Sequence, residues 1–124
     1  MARNRELEQA YAHDSAGREH DAVEHYRRAF ELGVPADELE GALLGFGSTL
    51  RNVGELEESL GVLAEAVQRF PENAALRVFL AYALWSNERK PEAMRSLVEA
   101  LYVGDARPEL ARYERAIRGY ADEL

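Results

Sequence analysis

Apolar residues recur along the chain at intervals of three or four positions, with charged residues between them. This spacing places the apolar side chains on one face of an α-helix, so it predicts amphipathic helices rather than strands. Glycine and proline interrupt the pattern where helices are expected to end. The pattern predicts seven helices, at about residues 3–16, 19–32, 36–53, 56–69, 73–87, 90–103 and 108–122.

The predicted helices occur in pairs, and each pair is one copy of a repeating unit. Small residues occupy three equivalent columns, whose members are 37 and 34 residues apart from one copy to the next. Small side chains let two helix backbones approach closely, while larger apolar neighbours fill the grooves beside them, and such pairs must stack to cover their apolar faces. The small columns are Ala22, Ser59, Ala93; Ala29, Ala66, Ala100; and Ala10, Gly47, Ala81, and the large columns are Val23, Leu60, Met94; Tyr26, Leu63, Leu97; and Phe30, Val67, Leu101.

The last predicted helix carries a single apolar stripe. Its large apolar residues follow one another at spacings of 3, 4, 3 and 4 positions. A stack of helix pairs needs a terminal helix to cover its last apolar face. The segment is therefore predicted to cap the stack, and the alternative is that part of the stripe contacts a partner. The stripe consists of Leu110, Tyr113, Ile117, Tyr120 and Leu124.

The period and the columns resemble those of the tetratricopeptide repeat family, over about residues 3–105. The segment LLGFGSTLRNVGELEESL is also similar to small stand-alone bacterial members. In the third repeat Glu88 replaces the turn glycine, and in the first helix polar residues occupy expected apolar slots, so Leu7, Ala10 and Tyr11 are an alternative packed face. The middle repeat matches best, at Leu43, Phe46, Gly47, Leu50, Gly54, Ser59, Leu63, Ala66 and Pro71.

The resemblance implies an all-α fold, a right-handed α-α superhelix of three helical hairpins and a capping helix. It implies one domain over residues 1–124, with repeats at about 3–35, 38–71 and 74–105 and a cap at about 108–122. The implied function is that of a non-catalytic adaptor or scaffold that binds another protein or a peptide.

In such stacks the first helix of each repeat lines a concave groove. Aromatic residues and arginine are the side chains that most often anchor interfaces. The alternative for Tyr82 and Trp85 is burial against the neighbouring helix or the cap. The slots of a carboxylate-binding clamp hold no cation here, so that specialised site is not expected. The groove-facing slots hold Tyr11, Asp14, Leu44, Ser48, Arg51, Asn52, Val78, Tyr82 and Trp85.

Charge and composition narrow the partner class. The net charge of −8 argues against nucleic acid, whose binding needs clustered basic residues. No apolar run approaches the length of a membrane span, and the absence of cysteine makes the cytoplasm the default compartment. Residues 1–62 carry a charge of −7 and residues 63–124 a charge of −1. Self-association is therefore the alternative function. The acidic first half of one copy would attract Arg112, Arg115 and Arg118 of another head to tail, or exposed apolar surface would form a symmetric homodimer.

No arrangement of residues indicates catalysis, a metal or a cofactor. The glycines of GFGS at 45–48 fall inside a predicted helix and are interpreted as packing residues, not as a phosphate-binding loop. The contiguous residues 13–15 point in different directions on a helix, so they are not a catalytic triad. His20 and Glu24 share a helix face, but His25 does not, which argues against a metal site.

Overall fold

The computed structural model describes residues 4–124, in which eight helices and no strand are present. The all-α prediction is confirmed. The chain divides into two compact units, Met1–Val62 and Leu63–Leu124, which are called unit 1 and unit 2. The helices are α1 (Arg5–Ser15), α2 (Glu19–Leu32), α3 (Leu39–Asn52), α4 (Leu56–Arg69), α5 (Ala74–Ser86), α6 (Lys90–Ala100), α7 (Ala106–Arg112) and α8 (Glu114–Asp122).

Unit 1 is built on the hairpin of α1 and α2, and α3 packs against both helices. Asn4 caps α1 by accepting a hydrogen bond from the Leu7 backbone N–H at 3.0 Å. Its amide also donates to the carbonyl oxygen of Ala29 at 2.9 Å, which ties the start of α1 to the end of α2. Leu7 and Ala10 are buried, so the alternative packed face predicted for the first helix is confirmed. The predicted helix start at residue 3 lies outside the described residues.

The predicted small-residue contacts are present in unit 1. The Ser59 hydroxyl on α4 donates to the Gly47 carbonyl oxygen on α3 at 2.7 Å, a bond that requires the two backbones to lie close together. Larger side chains fill the space beside such contacts. The Phe46 ring on α3 stacks on Tyr26 at 5.6 Å and on Phe30 at 5.3 Å between ring centroids. The core of unit 1 therefore lies where α3 covers α2.

Unit 2 is built on the hairpin of α5 and α6, with α7 and α8 packed against α5. The small residues Ala93 and Ala100 on α6 are buried, as predicted. The prediction that the large column residues of α6 are packing positions is wrong for this helix. Met94, Leu97 and Leu101 are 59%, 42% and 63% exposed, because α7 and α8 cover α5 and leave the outer side of α6 open.

Two helix boundaries and one turn differ from the sequence-based expectation. The third helix begins at Leu39 instead of residue 36, after a turn. The helix predicted at 108–122 is broken at Tyr113, whose ring packs edge-on against Phe79 at 6.0 Å. The turn between α5 and α6 places Glu88 at a φ of 61°, in the left-handed region that Gly17 occupies in unit 1 with a φ of 77°. In the described part of the chain, no helix has the length and apolar character needed to cross a membrane.

Candidate binding surfaces

The groove residues predicted on α3 divide into buried and accessible side chains. Leu44 and Ser48 are buried, and the Ser48 hydroxyl donates to the Gly45 carbonyl oxygen one turn earlier at 3.3 Å. Arg51 is partly exposed and Asn52 is exposed, at the last turn of the helix. Both also make contacts within the protein. Arg51 and Asn52 are thus the α3 members with surface available to a ligand.

The predicted groove residues of α1 are Tyr11 and Asp14, and both are partly buried. Two hydroxyl groups donate to the same carboxylate oxygen of Asp14, that of Tyr26 on α2 at 3.0 Å and that of Thr49 on α3 at 3.2 Å. Burial raises the pKa of Asp14 and outweighs these hydrogen bonds, which favour the charged form. The network joins three helices, so Asp14 holds unit 1 together.

Gly45 gives Tyr26 the space to reach Asp14. A Cβ atom at Gly45 would overlap the Tyr26 hydroxyl, and Tyr26 is fully buried, with its ring packed edge-on against Tyr11 at 6.1 Å. Burial and the charge of Asp14 both raise the pKa of Tyr26, which keeps its phenol protonated as a donor. The interpretation of Gly45 as a packing residue is confirmed.

The groove residues predicted on α5 are mostly covered. Val78 and Tyr82 are 3% and 7% exposed, although the sequence predicted both as groove-facing positions. The Tyr82 hydroxyl donates to the Ile117 carbonyl oxygen on α8 at 2.5 Å, and its ring packs edge-on against Tyr120 at 5.8 Å. Tyr82 therefore packs against the C-terminal helices, which is the alternative that the sequence left open.

Trp85 is the member of the α5 set that keeps part of its surface exposed. The Lys90 ammonium lies 4.7 Å from the centre of the indole ring, within the range of a cation–π contact. Lys90 is also 3.8 Å from the Glu88 carboxylate. Trp85 thus presents a large, rigid aromatic surface next to opposite charges.

A histidine pair in unit 1 was not foreseen from the sequence. The rings of His13 and His25 stack at 5.0 Å, although one lies on α1 and the other on α2. His25 Nδ1 is 2.5 Å from a Glu6 carboxylate oxygen, and Arg18 Nε donates to His13 Nδ1 at 2.9 Å. The described residues contain no group of three or more potential metal ligands. The pair is therefore accounted for by hydrogen bonds and ring stacking.

The exposed side of α6 forms a second surface. We call Met94, Leu97 and Val98 of α6, together with Leu101 at its C-cap, the α6 face. It borders a groove of 830 Å³, the α6 groove, whose opposite wall is formed by α7 and α8. The sequence did not predict this surface, because three of its four residues fall in columns that were expected to be packed.

The fold defines an all-α helical-repeat protein, and these side chains are exposed on its surface. The family model for the tetratrico peptide repeat matches residues 4–124. The chain belongs to the tetratricopeptide repeat family. Members of this family generally act as non-catalytic scaffolds in protein–protein interactions. A search of proteins with curated functions finds no relative that matches the chain.

Proposed function

We propose that the chain is a non-catalytic adaptor of the cytoplasm that binds a segment of another protein through side chains of α1, α3 and α5. Family membership supports a role in protein–protein interaction. The proposed anchors are Tyr11, Arg51, Asn52 and Trp85, which keep exposed surface within their own units. The negative charge disfavours nucleic acid as the partner.

The partial exposure of Trp85 is the observation that carries this proposal. It is the single tryptophan of the chain, and burying the part of its large indole ring that remains exposed removes apolar area from water. Tryptophan and arginine are the residues in which interface energy concentrates. Trp85 in unit 2 and Arg51 in unit 1 are therefore the first positions to test.

The buried members of the predicted set are assigned a supporting role. Asp14 links α1 to α2 and α3 through its two hydrogen bonds. Tyr82 fixes α8 on α5 through the Ile117 carbonyl, and Val78 belongs to the same buried cluster. We assign these residues to holding the helices that carry the anchors, together with Leu44 and Ser48. No metal or cofactor is part of the proposal.

Peptide selection tests this assignment without requiring the natural partner. Peptides selected from a random displayed library on the purified chain are expected to bind and to shift the fluorescence of Trp85. Trp85→Ala and Arg51→Ala should each weaken binding by about tenfold. Arg69→Ala is the matched control, since Arg69 is exposed and its guanidinium lies 3.6 Å from the Glu65 carboxylate. If both variants bind the selected peptides as the parent chain does, the assignment is wrong.

Self-association is the second candidate, and the uneven charge favours it. Unit 1 carries a charge of −7, whereas Arg112, Arg115 and Arg118 lie close together in the sequence of unit 2. Attraction between such surfaces weakens as salt screens it. Sedimentation velocity at about 50 mM and about 500 mM salt tests this, because head-to-tail assembly predicts dissociation at the higher concentration. A monomer at both concentrations removes this candidate.

A further inference from the structure

The α6 face occupies the repeat positions that a following helix covers in unit 1. Tyr26 on α2 is fully buried and stacks on Phe46 of α3. Its repeat equivalent on α6 is Leu97, which is 42% exposed. Equivalent positions thus have a helix over them in unit 1 and none in the described part of unit 2. The shape left open is one that suits a helix.

The spacing on α6 also suits a helical partner. Met94, Leu97, Val98 and Leu101 follow the i, i+3, i+4 and i+7 pattern, which places them on one face. Amphipathic helices bind to grooves through anchors at this same spacing. The α6 groove has a floor that includes the buried Val78 and a far wall that includes Leu110 and Ile117. Its volume of 830 Å³ is that of a pocket able to take several side chains.

The groove carries positive charge in an acidic protein. Arg107, Arg118 and Glu114 are the charged residues that line it, so the lining has a charge of +1 in a chain of −8. Arg118 is paired with Glu114 at 2.7 Å. Arg107 takes part in no ion pair within residues 4–124. A guanidinium at an apolar groove matches a carboxylate on the occupant, because such pairs are strong and directional.

A second copy of the chain fits the groove less well. An occupant must supply a row of apolar side chains, and Leu32 is the one large exposed hydrophobic residue of the described part of unit 1. Placing one α6 groove on another brings together surfaces that both carry Arg107. Like charges at an interface oppose association. Self-association at this surface is therefore disfavoured, both with unit 1 of a second copy as the occupant and with a second α6 groove.

We propose that the α6 groove binds an amphipathic helix from another protein, with an apolar stripe toward Leu97 and Leu101 and acidic residues beside the stripe toward Arg107. This site is separate from the anchors Trp85 and Arg51. It adds a second binding surface to the proposed adaptor.

A designed helical peptide tests the proposal directly. The probe is a fluorescein-labelled peptide of about 18 residues, with leucines at i, i+3, i+4 and i+7 and glutamates on both sides of the stripe. One control replaces every glutamate with lysine, and another scrambles the order so that the stripe is lost. Fluorescence anisotropy should show binding of the acidic peptide, binding about tenfold weaker for the lysine peptide, and none for the scrambled one.

Variants of the chain locate the binding. The double variant Leu97→Ser with Leu101→Ser should weaken binding of the acidic peptide by about tenfold. Arg107→Ala should weaken it by about threefold and reduce its salt dependence. The matched control is Leu32→Ser, because Leu32 is an exposed leucine of unit 1, and it should bind unchanged. Circular dichroism should show the same helix content in all variants, since the substituted side chains are exposed.

Three outcomes overturn the proposal. The first is that the acidic peptide does not bind, or that the lysine peptide binds as well. The second is that the parent chain is a dimer that Leu97→Ser with Leu101→Ser dissociates, which makes a second copy the occupant. The third is that Trp85→Ala or Arg51→Ala abolishes peptide binding while the α6 variants do not, which leaves the proposed adaptor surface standing and removes this one.

Discussion

Unit 1 and unit 2 are each built on a hairpin of the same repeat, but they close their apolar faces differently. In unit 1, α3 covers α2, and Tyr26 donates a hydrogen bond to the partly buried carboxylate of Asp14. In unit 2, α7 and α8 pack on α5, and the Leu97 side of α6 stays exposed. The same spacing of apolar residues thus produces a core in one unit and a surface in the other. The helix that follows a hairpin decides which of the two results.

The largest expected difference between the units is in how much stability is lost when a leucine is truncated to alanine. Leu50 on α3 is fully buried, whereas Leu101 at the C-cap of α6 is 63% exposed. Leu50→Ala should lower the free energy of unfolding by about 2–5 kcal/mol, because it leaves a cavity. Leu101→Ala should change it by less than about 0.5 kcal/mol. Urea denaturation measures both, and equal losses would mean that the α6 face is covered in solution.

The next difference concerns two buried tyrosines. The Tyr26 hydroxyl donates to the carboxylate of Asp14, whereas that of Tyr82 donates to the backbone carbonyl of Ile117. Tyr26→Phe should cost about 1–3 kcal/mol, since it takes a donor from a partly buried charged group. Tyr82→Phe should cost about 0.5–1.5 kcal/mol, the range for a neutral hydrogen bond. A larger loss from Tyr82→Phe in urea denaturation would reverse this ranking.

A smaller effect is expected at the hairpin turns. Gly17 in unit 1 and Glu88 in unit 2 both have a positive φ, of 77° and 61°. A side chain with a Cβ atom is strained in this region, whereas glycine is not. Glu88→Gly should therefore raise the free energy of unfolding by about 0.5–1 kcal/mol, and Gly17→Ala should lower it by a similar amount. Thermal denaturation followed by circular dichroism can compare the pair, and destabilisation by Glu88→Gly would contradict the argument.

The features that the sequence predicted correctly are those that one helix or one turn determines. The period of apolar residues located the helices, and the two small columns that contain Gly47 and Ser59 marked a real backbone approach. The packed face of α1 was recognisable because Leu7 and Ala10 are apolar, whereas the residues on the other possible face are polar. These inferences needed only the local pattern and the rule that apolar faces become buried.

The features that were missed depend on the direction in which distant segments pack. The Asp14 network joins side chains that are 12 and 35 positions apart, so no periodicity reveals it. The burial of Tyr82 depends on α8, whose path follows from the break at Tyr113 and the packing of that ring on Phe79. The exposure of Leu97 has the same origin, because the C-terminal helices pack on α5. Helical spacing alone cannot show which of two hairpin helices the next segment will cover.

The smallest expected effect is a pH dependence that belongs to unit 1. Burial raises the pKa of Asp14, so its carboxyl group keeps its proton to a higher pH in the folded chain than in the unfolded chain. The free energy of unfolding therefore falls as the pH rises through the raised pKa of this group. Asn at this position does not titrate and still accepts a hydrogen bond through its amide oxygen.

The unfolding free energy of Asp14→Asn, minus that of the parent chain, should therefore increase between about pH 4 and about pH 7. Comparing this difference removes the contributions of carboxylates that both proteins share. In unit 2, Tyr82 donates to a backbone carbonyl that does not titrate, so Tyr82→Phe is the matched control and its difference from the parent should stay constant over the same range. A difference for Asp14→Asn that is flat, or that decreases with pH, would mean that hydrogen bonds from Tyr26 and Thr49 outweigh the burial of Asp14 in solution.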